Sequence, residues 1–148
     1  MVKKILNRIG YAASIGEVDI PTTIKYAKEM GYNALEINLN IPSFFPEEYD
    51  REERKKIKEL VNETGINLSF HAPEDIFLTH IHDEVRKAGL NYLKKCIDFA
   101  WEIGGNKITF HPGDSVCFTQ VNRKIFLQDV YVERFSEVFK DSLITIRD

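Results

Sequence analysis

Three segments of the chain alternate between apolar and polar residues, and this pattern predicts β-strands at residues 34–39, 66–71 and 107–111. Because successive side chains of a strand point to opposite faces of the sheet, the aliphatic and aromatic residues of each segment share one face. The other face carries small polar or charged side chains. A short apolar segment at residues 9–13 predicts one more strand before these three.

Helices are predicted between these strands. Asp50 and Glu53 have the capping-box spacing that starts a helix, and Gly65 has the conformational freedom that ends it. Further helices are expected after the first strand, over residues 83–103 and over residues 122–142. Strands that alternate with helices run parallel and are joined by right-handed crossovers.

The polar face of the strands distinguishes between two α/β architectures. A doubly wound sheet buries both faces and favours strands that are apolar throughout. A (β/α) barrel covers only the outer face with helices, and its inner face lines the functional site. The pattern therefore predicts a partial (β/α) TIM barrel of about four parallel strand–helix units, in a single domain that spans residues 1–148.

Composition and charge are those of an ordinary globular chain, with 43% hydrophobic and 29% charged residues. A formal net charge of -3 argues against nucleic acid as a partner. No apolar segment approaches the ~20 residues that span a bilayer, and residues 1–8 do not resemble a signal peptide. The two cysteines have neither metal-type nor disulfide spacing, so we expect a cytoplasmic protein without a membrane segment.

Two of the predicted strands end in a histidine that is followed closely by proline, at His71 and His111. Catalytic groups of (β/α) barrels lie at the carboxyl ends of the strands, and neighbouring strands are about 4.7–4.9 Å apart. We therefore expect His71 and His111 to converge on one divalent metal ion or on one substrate, as metal ligands or as catalytic groups that transfer a proton. The alternative is that each histidine ends its strand and hydrogen-bonds to backbone.

Three further polar residues are candidates for the same pocket. Glu36 lies on the inner face, where a carboxylate must be paired, solvated or used, so it is a candidate catalytic residue; an ion pair with Lys107 is the alternative. Asn38 is a candidate for hydrogen bonding to a polar substrate, against simple packing or solvation. Asp114 follows the His111 motif and is expected to bind substrate, to orient the histidine or only to shape the turn.

Four other polar residues are expected outside the centre of the pocket. Glu74 and Asp75 follow His71 and are expected on the rim of the pocket. The sequence His80-Ile81-His82 is similar to a metal-binding pattern, but it directly precedes a helix. A solvated loop is therefore the favoured interpretation.

Residues 68–73 (LSFHAP), the long helix that follows and residues 108–113 (ITFHPG) resemble the amino-terminal half of the xylose-isomerase-like TIM barrel superfamily. The approach to the second strand, residues 31–36 (GYNALE), is similar as well. The resemblance covers about residues 9–114. That superfamily holds sugar isomerases and epimerases, and also the endonuclease IV type of abasic-site nuclease.

The resemblance implies a metal-dependent site at the strand ends, and the expected cofactor is a divalent metal ion such as zinc, manganese or cobalt. In the endonuclease IV branch, the histidines that match His71 and His111 bind metal together with carboxylates and histidines of later strands. In the isomerase branch, later strands hold the metal and the early strands approach the substrate.

Residues 143–148 are expected to begin a fifth strand, with Arg147 where the family usually has a metal-binding Glu. The chain is therefore expected to be half a barrel, whose strand edges favour association with a second copy of itself or with a chain that carries the other half. Three functions stay open. They are an isomerase or epimerase for a small-molecule sugar or sugar phosphate, an endonuclease-IV-like phosphodiesterase for DNA repair, and a catalytically inactive half-barrel that serves in assembly.

Overall fold

The computed structural model of the protein describes residues 9–147. Residues 1–8 and Asp148, which include the start of the chain discussed above and the last residue of the expected fifth strand, lie outside the described residues. The strands are β1 (Gly10–Ala12), β2 (Ala34–Asn38), β3 (Asn67–His71), β4 (Lys107–Thr109), β5 (Cys117–Gln120) and β6 (Arg123–Phe126). The helices are α1 (Ile20–Glu29), α2 (Arg51–Thr64), α3 (Asp83–Glu102), α4 (Leu127–Val130) and α5 (Val132–Arg147).

Contacts divide the chain into two compact units. The first comprises the chain up to Pro73 together with Lys95–Phe110, and it contains strands β1 to β4, helices α1 and α2 and the end of α3. The second comprises Glu74–Lys94 and the chain from His111 onward, with the start of α3, strands β5 and β6 and helices α4 and α5. The single domain over residues 1–148 stays a prediction.

Strands β1 to β4 of the first unit form a parallel sheet in the order β1-β2-β3-β4. Leu35 is paired with Leu68 and Ile37 with Phe70, and each of these four side chains is at most 1% exposed. The residues between them, including Glu36, are half-buried. The two-faced character predicted from the alternation is confirmed.

Local signals start and end helix α2 as predicted. The Asp50 carboxylate accepts a hydrogen bond from the Glu53 amide at 2.8 Å, and the Glu53 carboxylate accepts one from the Asp50 amide at 2.8 Å. This capping box satisfies two amide groups that would otherwise lack a partner. Gly65 follows the helix with φ of 65°, a left-handed conformation that favours glycine.

Aromatic side chains fill the space between the sheet and its helices in the first unit. The fully buried Phe99 of α3 stacks on Tyr49 with 5.6 Å between ring centroids and meets Phe70 edge-on at 6.3 Å. The guanidinium of Arg54 lies 5.0 Å from the centroid of the Phe99 ring. Burial raises the pKa of Tyr49 to about 12. The Tyr49 hydroxyl donates to the Ser43 carbonyl at 2.6 Å, so this buried polar group is satisfied.

Arg86 joins two helices of the second unit. Its side chain is only 7% exposed, and its guanidinium donates to Asp83 at 2.8 Å and to Asp141 at 2.7 Å. The hydrogen bond from Arg86 holds the pKa of the Asp83 carboxyl below its usual range. Ser142 is fully buried beside it and donates to the Leu78 carbonyl at 2.6 Å. These contacts attach α5 to the start of α3.

Two predictions for the end of the chain are wrong. The helix expected over residues 122–142 begins only at Leu127, because Cys117–Gln120 and Arg123–Phe126 form an antiparallel hairpin instead. The fifth strand expected at residues 143–148 is the end of α5 as far as Arg147. The helix continues because Phe135, Val138 and Ser142, spaced three and four residues apart, are buried along one face.

The two cysteines are free thiols, as expected. Cys96 is fully buried in α3, and burial raises the pKa of its thiol to about 12. Cys117 is exposed at the start of β5. Among the described residues, no helix is both long and apolar enough to cross a membrane.

Candidate functional site

Two adjacent strands of the first unit place polar side chains at their carboxyl ends. Asn38, the last residue of β2, is paired with His71, the last residue of β3. One step earlier, Glu36 is paired with Ser69. Because residues paired across two strands project to the same face, these four half-buried side chains form one polar surface. This is the inner surface that the sequence predicts.

The ring of His71 is oriented by the backbone beside it. Its Nδ1 lies 2.9 Å from the Ala72 carbonyl oxygen. Since a carbonyl can only accept, this hydrogen bond requires the proton on Nδ1 and leaves the lone pair on Nε2. A histidine held in this way is suited to bind a cation through Nε2. The backbone hydrogen bond named above as the alternative is therefore compatible with a ligand role.

Asn38 and Glu36 differ in what holds them. The Asn38 side-chain oxygen accepts hydrogen bonds from the Asn40 backbone amide at 2.9 Å and from the Asn40 side chain at 2.7 Å. Asn38 thus shapes the loop after β2. Glu36 is separated from Lys107 by Ser69, which is paired with both of them. The carboxylate and the ammonium therefore project from strands that are not neighbours, which weakens the ion-pair interpretation of Glu36.

His111 does not end a strand, contrary to the prediction. Strand β4 stops at Thr109, whose carbonyl accepts a hydrogen bond from the Ala72 amide at 2.8 Å. His111 lies two residues further on, in the loop with which the second unit resumes. Pro112 follows it and has no amide hydrogen to continue a ladder.

His111 lies close to Glu74 within the second unit. A ligand atom of the histidine and a carboxylate oxygen of Glu74 are within 4.8 Å of each other, and both residues are exposed. They line a cavity of about 400 Å³ together with Phe77, Gly113 and Asp114. Asp114 thus lines the same cavity as His111, and its role stays a prediction.

Thr79 hydrogen-bonds to the loop that carries His111. The Thr79 amide donates to the Pro112 carbonyl at 3.2 Å, and its hydroxyl lies 3.1 Å from that oxygen and 3.3 Å from the Gly113 carbonyl oxygen. Gly113 has φ of 86°. A Cβ at Gly113 would lie 2.3 Å from the Phe77 ring, so glycine is needed for both conformation and space.

The chemistry of these side chains fits a divalent transition metal. Imidazole nitrogen and carboxylate oxygen are the donors found in catalytic zinc sites, and both also suit manganese and cobalt. Glu74 and His111 present one donor of each type at a separation that one ion can bridge. Glu74 was expected only on the rim. The signal for it was its spacing of three residues after His71, which alone does not distinguish a ligand from a solvated loop residue.

The fold and these side chains define an α/β protein with its candidate ligands at and just beyond the carboxyl ends of parallel strands. The family model described as Xylose isomerase-like TIM barrel matches residues 24–143. The chain therefore belongs to the xylose isomerase-like TIM barrel family. A comparison with curated proteins returned no match.

Several solved structures share this fold. A D-tagatose 3-epimerase-like protein has 19% sequence identity and a TM-score of 0.69, and the match covers 93% of this chain and 46% of that one. The 3-keto-D-glucoside 4-epimerase YcjR from E. coli has 20% sequence identity and a TM-score of 0.67, and the match covers 95% of this chain and 50% of that one. Endonuclease IV from Thermus thermophilus has 18% sequence identity and a TM-score of 0.62, and the match covers 94% of this chain and 47% of that one. The chain spans about half the length of these structures and has the fold of a partial TIM barrel.

Proposed function

We propose that this chain is half of a metal-dependent isomerase or epimerase that acts on a sugar or sugar phosphate. The observation that carries the proposal is the pair of Glu74 and His111 beside a cavity. The ion would be zinc, manganese or cobalt, with His71 as the third ligand. His71 ends β3 and precedes Glu74 by three residues.

Each side chain then has a role in the proposal. When bound, the metal polarises carbonyl or hydroxyl oxygens of the sugar, which makes the adjacent carbon–hydrogen bond more acidic. Glu36 accepts or returns the proton, since it is a half-buried carboxylate on the inner face of the sheet. Asn38 and Asp114 hydrogen-bond to sugar hydroxyl groups. His71 and His111 hold the ion and orient the substrate.

A partner completes the barrel in this proposal. Among the described residues, β1 pairs only with β2 and β4 only with β3, so the sheet has two edges. The structures that resemble the chain are about twice as long. Open edges are sites of association, and we propose a homodimer or a complex with a chain that carries the other half. Light scattering at micromolar concentration that shows a stable monomer would contradict this.

The proposed protein is cytoplasmic, in keeping with its two free thiols. The phosphodiesterase function has less support, because DNA affinity rests on basic contacts to phosphates and the net charge is -3. Binding to abasic-site DNA that weakens steeply with salt would reverse this preference. Failure to bind any divalent metal would leave the inactive assembly module.

A metal titration tests the proposal directly. Zn²⁺, Mn²⁺ and Co²⁺ are titrated by calorimetry into the chain and into the variants Glu74→Gln, His111→Ala and His71→Ala. We expect each variant to lower the affinity for the bound metal at least about tenfold, because each loses a ligand. His82→Ala is the matched control, since it removes an exposed histidine of the same unit. Equal affinity in all five proteins, or no binding to the unaltered chain, would refute the proposed site.

A further inference from the structure

The second unit contains another cavity, of about 420 Å³, which we term the hairpin cavity. It shares Phe77 and Asp114 with the cavity beside His111. Its other apolar walls are Ile81, Val116, Leu127 and Phe135. Ligand pockets are typically about 300–1,000 Å³ in volume and mostly apolar with a few polar groups. The hairpin cavity has both properties.

The base of the β5–β6 hairpin holds one wall of this cavity in place. The Ser115 amide donates to the Gln128 side-chain oxygen at 2.8 Å, and the Gln128 amide donates to the Ser115 hydroxyl at 2.9 Å. The Leu127 amide donates to the Val116 carbonyl at 3.0 Å. These three bonds close the hairpin at its base and hold the backbone of Val116 and Leu127 in place at the wall.

The polar groups of the hairpin cavity match hydroxyl groups. The His80 Nδ1 accepts a hydrogen bond from the His82 amide at 3.2 Å, so in the neutral ring its Nε2 is a donor. The Asp114 carboxylate is an acceptor, and the Ser115 hydroxyl can do both. A sugar hydroxyl donates and accepts, and the carbon–hydrogen faces of a sugar pack on aromatic rings such as Phe77. This combination of groups fits a carbohydrate.

Charge decides which kind of carbohydrate fits. Neither cavity has a lysine or arginine among its described lining residues, while Glu74 and Asp114 bring carboxylates. A phosphate group is bound by arginine, lysine or clustered backbone amides, and beside carboxylates it is repelled. We propose that the hairpin cavity binds the part of an uncharged monosaccharide that lies away from the metal. The proposal rests on the function proposed above, because Glu74 and His111 hold the reacting end.

Nuclear magnetic resonance of the full chain tests this subsite. D-fructose and fructose 6-phosphate are titrated separately into the ¹⁵N-labelled chain, and the amide signals of Ser115 and Val116 are followed. We expect D-fructose to shift these signals saturably and fructose 6-phosphate to bind at least about tenfold more weakly, because of like-charge repulsion. Asp114→Asn should reduce this difference. Equal or tighter binding of the phosphate ester would overturn the proposal.

Two tryptophan variants on the same hairpin provide a matched pair. Val116→Trp fills the cavity and should abolish the D-fructose shifts at Ser115. Val121→Trp places the same side chain at the fully exposed tip of the hairpin and should leave binding unchanged. Equal effects of the two variants would contradict the subsite, since the side chain of Val116 lines the cavity and that of Val121 does not.

The metal titration separates failure of the subsite from failure of the proposed function. A chain that binds metal through Glu74 and His111 but shows no sugar shifts at Ser115 and Val116 refutes the hairpin cavity as a sugar site and leaves the metal site standing. A chain that shows the sugar shifts but binds no metal refutes the isomerase or epimerase proposal, and the cavity is then a carbohydrate-binding site without that chemistry.

Discussion

Replacing Gly113 by alanine tests how the loop that carries His111 is built. Gly113 has φ of 86°, in the left-handed region that residues with a side chain rarely adopt. A Cβ there would lie 2.3 Å from Cδ1, 2.7 Å from Cγ and 2.8 Å from Cβ of Phe77. Because the last of these atoms belongs to the root of the side chain, rotation of the ring cannot relieve the overlap. The backbone of one segment must move.

The expected cost follows from these two effects. A left-handed conformation costs a residue with a side chain about 1–2 kcal/mol, and overpacking costs about 1–3 kcal/mol. Gly113→Ala should therefore lower the free energy of unfolding by about 2–5 kcal/mol. Gly65→Ala is the control for conformation alone, because Gly65 has φ of 65° and nothing within 4 Å of its added Cβ. Its cost should be about 1–2 kcal/mol.

Urea denaturation followed by circular dichroism measures these differences. A second comparison uses the Phe77→Ala background, in which the two atoms nearest to the added Cβ, Cδ1 and Cγ of Phe77, are absent. There Gly113→Ala should lower the free energy of unfolding by about 1 kcal/mol less than it does in the unaltered chain. The reasoning is refuted if Gly113→Ala costs no more than Gly65→Ala, or if its cost is the same with and without the Phe77 ring.

Two further predictions concern the second unit. Thr79→Val removes the hydroxyl that bonds to the loop after His111. We expect the metal affinity to fall about fivefold, which corresponds to the free energy of one hydrogen bond, while Thr79→Ser keeps both the hydroxyl and the affinity. Equal metal affinities of the two variants would contradict this. Arg86→Met removes the bond that lowers the pKa of Asp83. A carboxyl group with a lowered pKa stabilises the fold at pH values above its pKa in the unfolded chain, and this stabilisation is lost as the pH falls through its pKa in the folded chain. The urea midpoint of the unaltered chain should therefore fall more between about pH 5 and pH 2 than the midpoint of Arg86→Met. An unchanged pH dependence in the variant would show that this ion pair does not contribute.

The first unit follows from the sequence because its signals are local. Alternation fixes which face of a strand is buried, and Leu35 and Leu68 are both on the buried face that their period predicts. The capping box of Asp50 and Glu53 and the stop at Gly65 each lie within a few residues of the bonds they form. The order of the strands in the sheet is not contained in local patterns and comes from the structure.

The end of the chain shows what local signals miss. Residues 122–142 have enough apolar residues at helical spacing to suggest one helix, yet a hairpin precedes it. That hairpin is closed by Ser115 and Gln128, which are thirteen residues apart and whose bonds depend on the fold. The β-branched Ile144 and Thr145 favour a strand by propensity, but tertiary packing along α5 prevails over that weak preference.

The two histidines of the candidate site differ in how well the sequence predicts their positions. His71 ends its strand as expected, whereas His111 lies in the following loop and approaches Glu74. The loop that carries His111 is bonded to Thr79, whose hydroxyl contacts carbonyl groups 33 and 34 residues away. No periodicity encodes such a contact. A histidine with proline after it therefore indicates a strand end only to within a few residues, and its neighbours must come from the structure.

Charge links the metal site to the choice of substrate. In the proposed site, the His111 imidazole and the single carboxylate of Glu74 would leave a divalent ion with a net charge of +1, and that charge attracts a phosphate as well as an oxygen of a neutral sugar. The Asp114 carboxylate of the hairpin cavity repels a phosphate, and neither lysine nor arginine is among the described residues that line this cavity. In TIM barrels a phosphate group is often bound by loops after the seventh and eighth strands, and the sheet described in this chain has four. In the proposed site, a phosphorylated substrate would therefore have to extend from the metal away from the hairpin cavity, and an uncharged one towards Phe77. The sugar titrations measure which direction is used, because only the second direction shifts the signals of Ser115 and Val116.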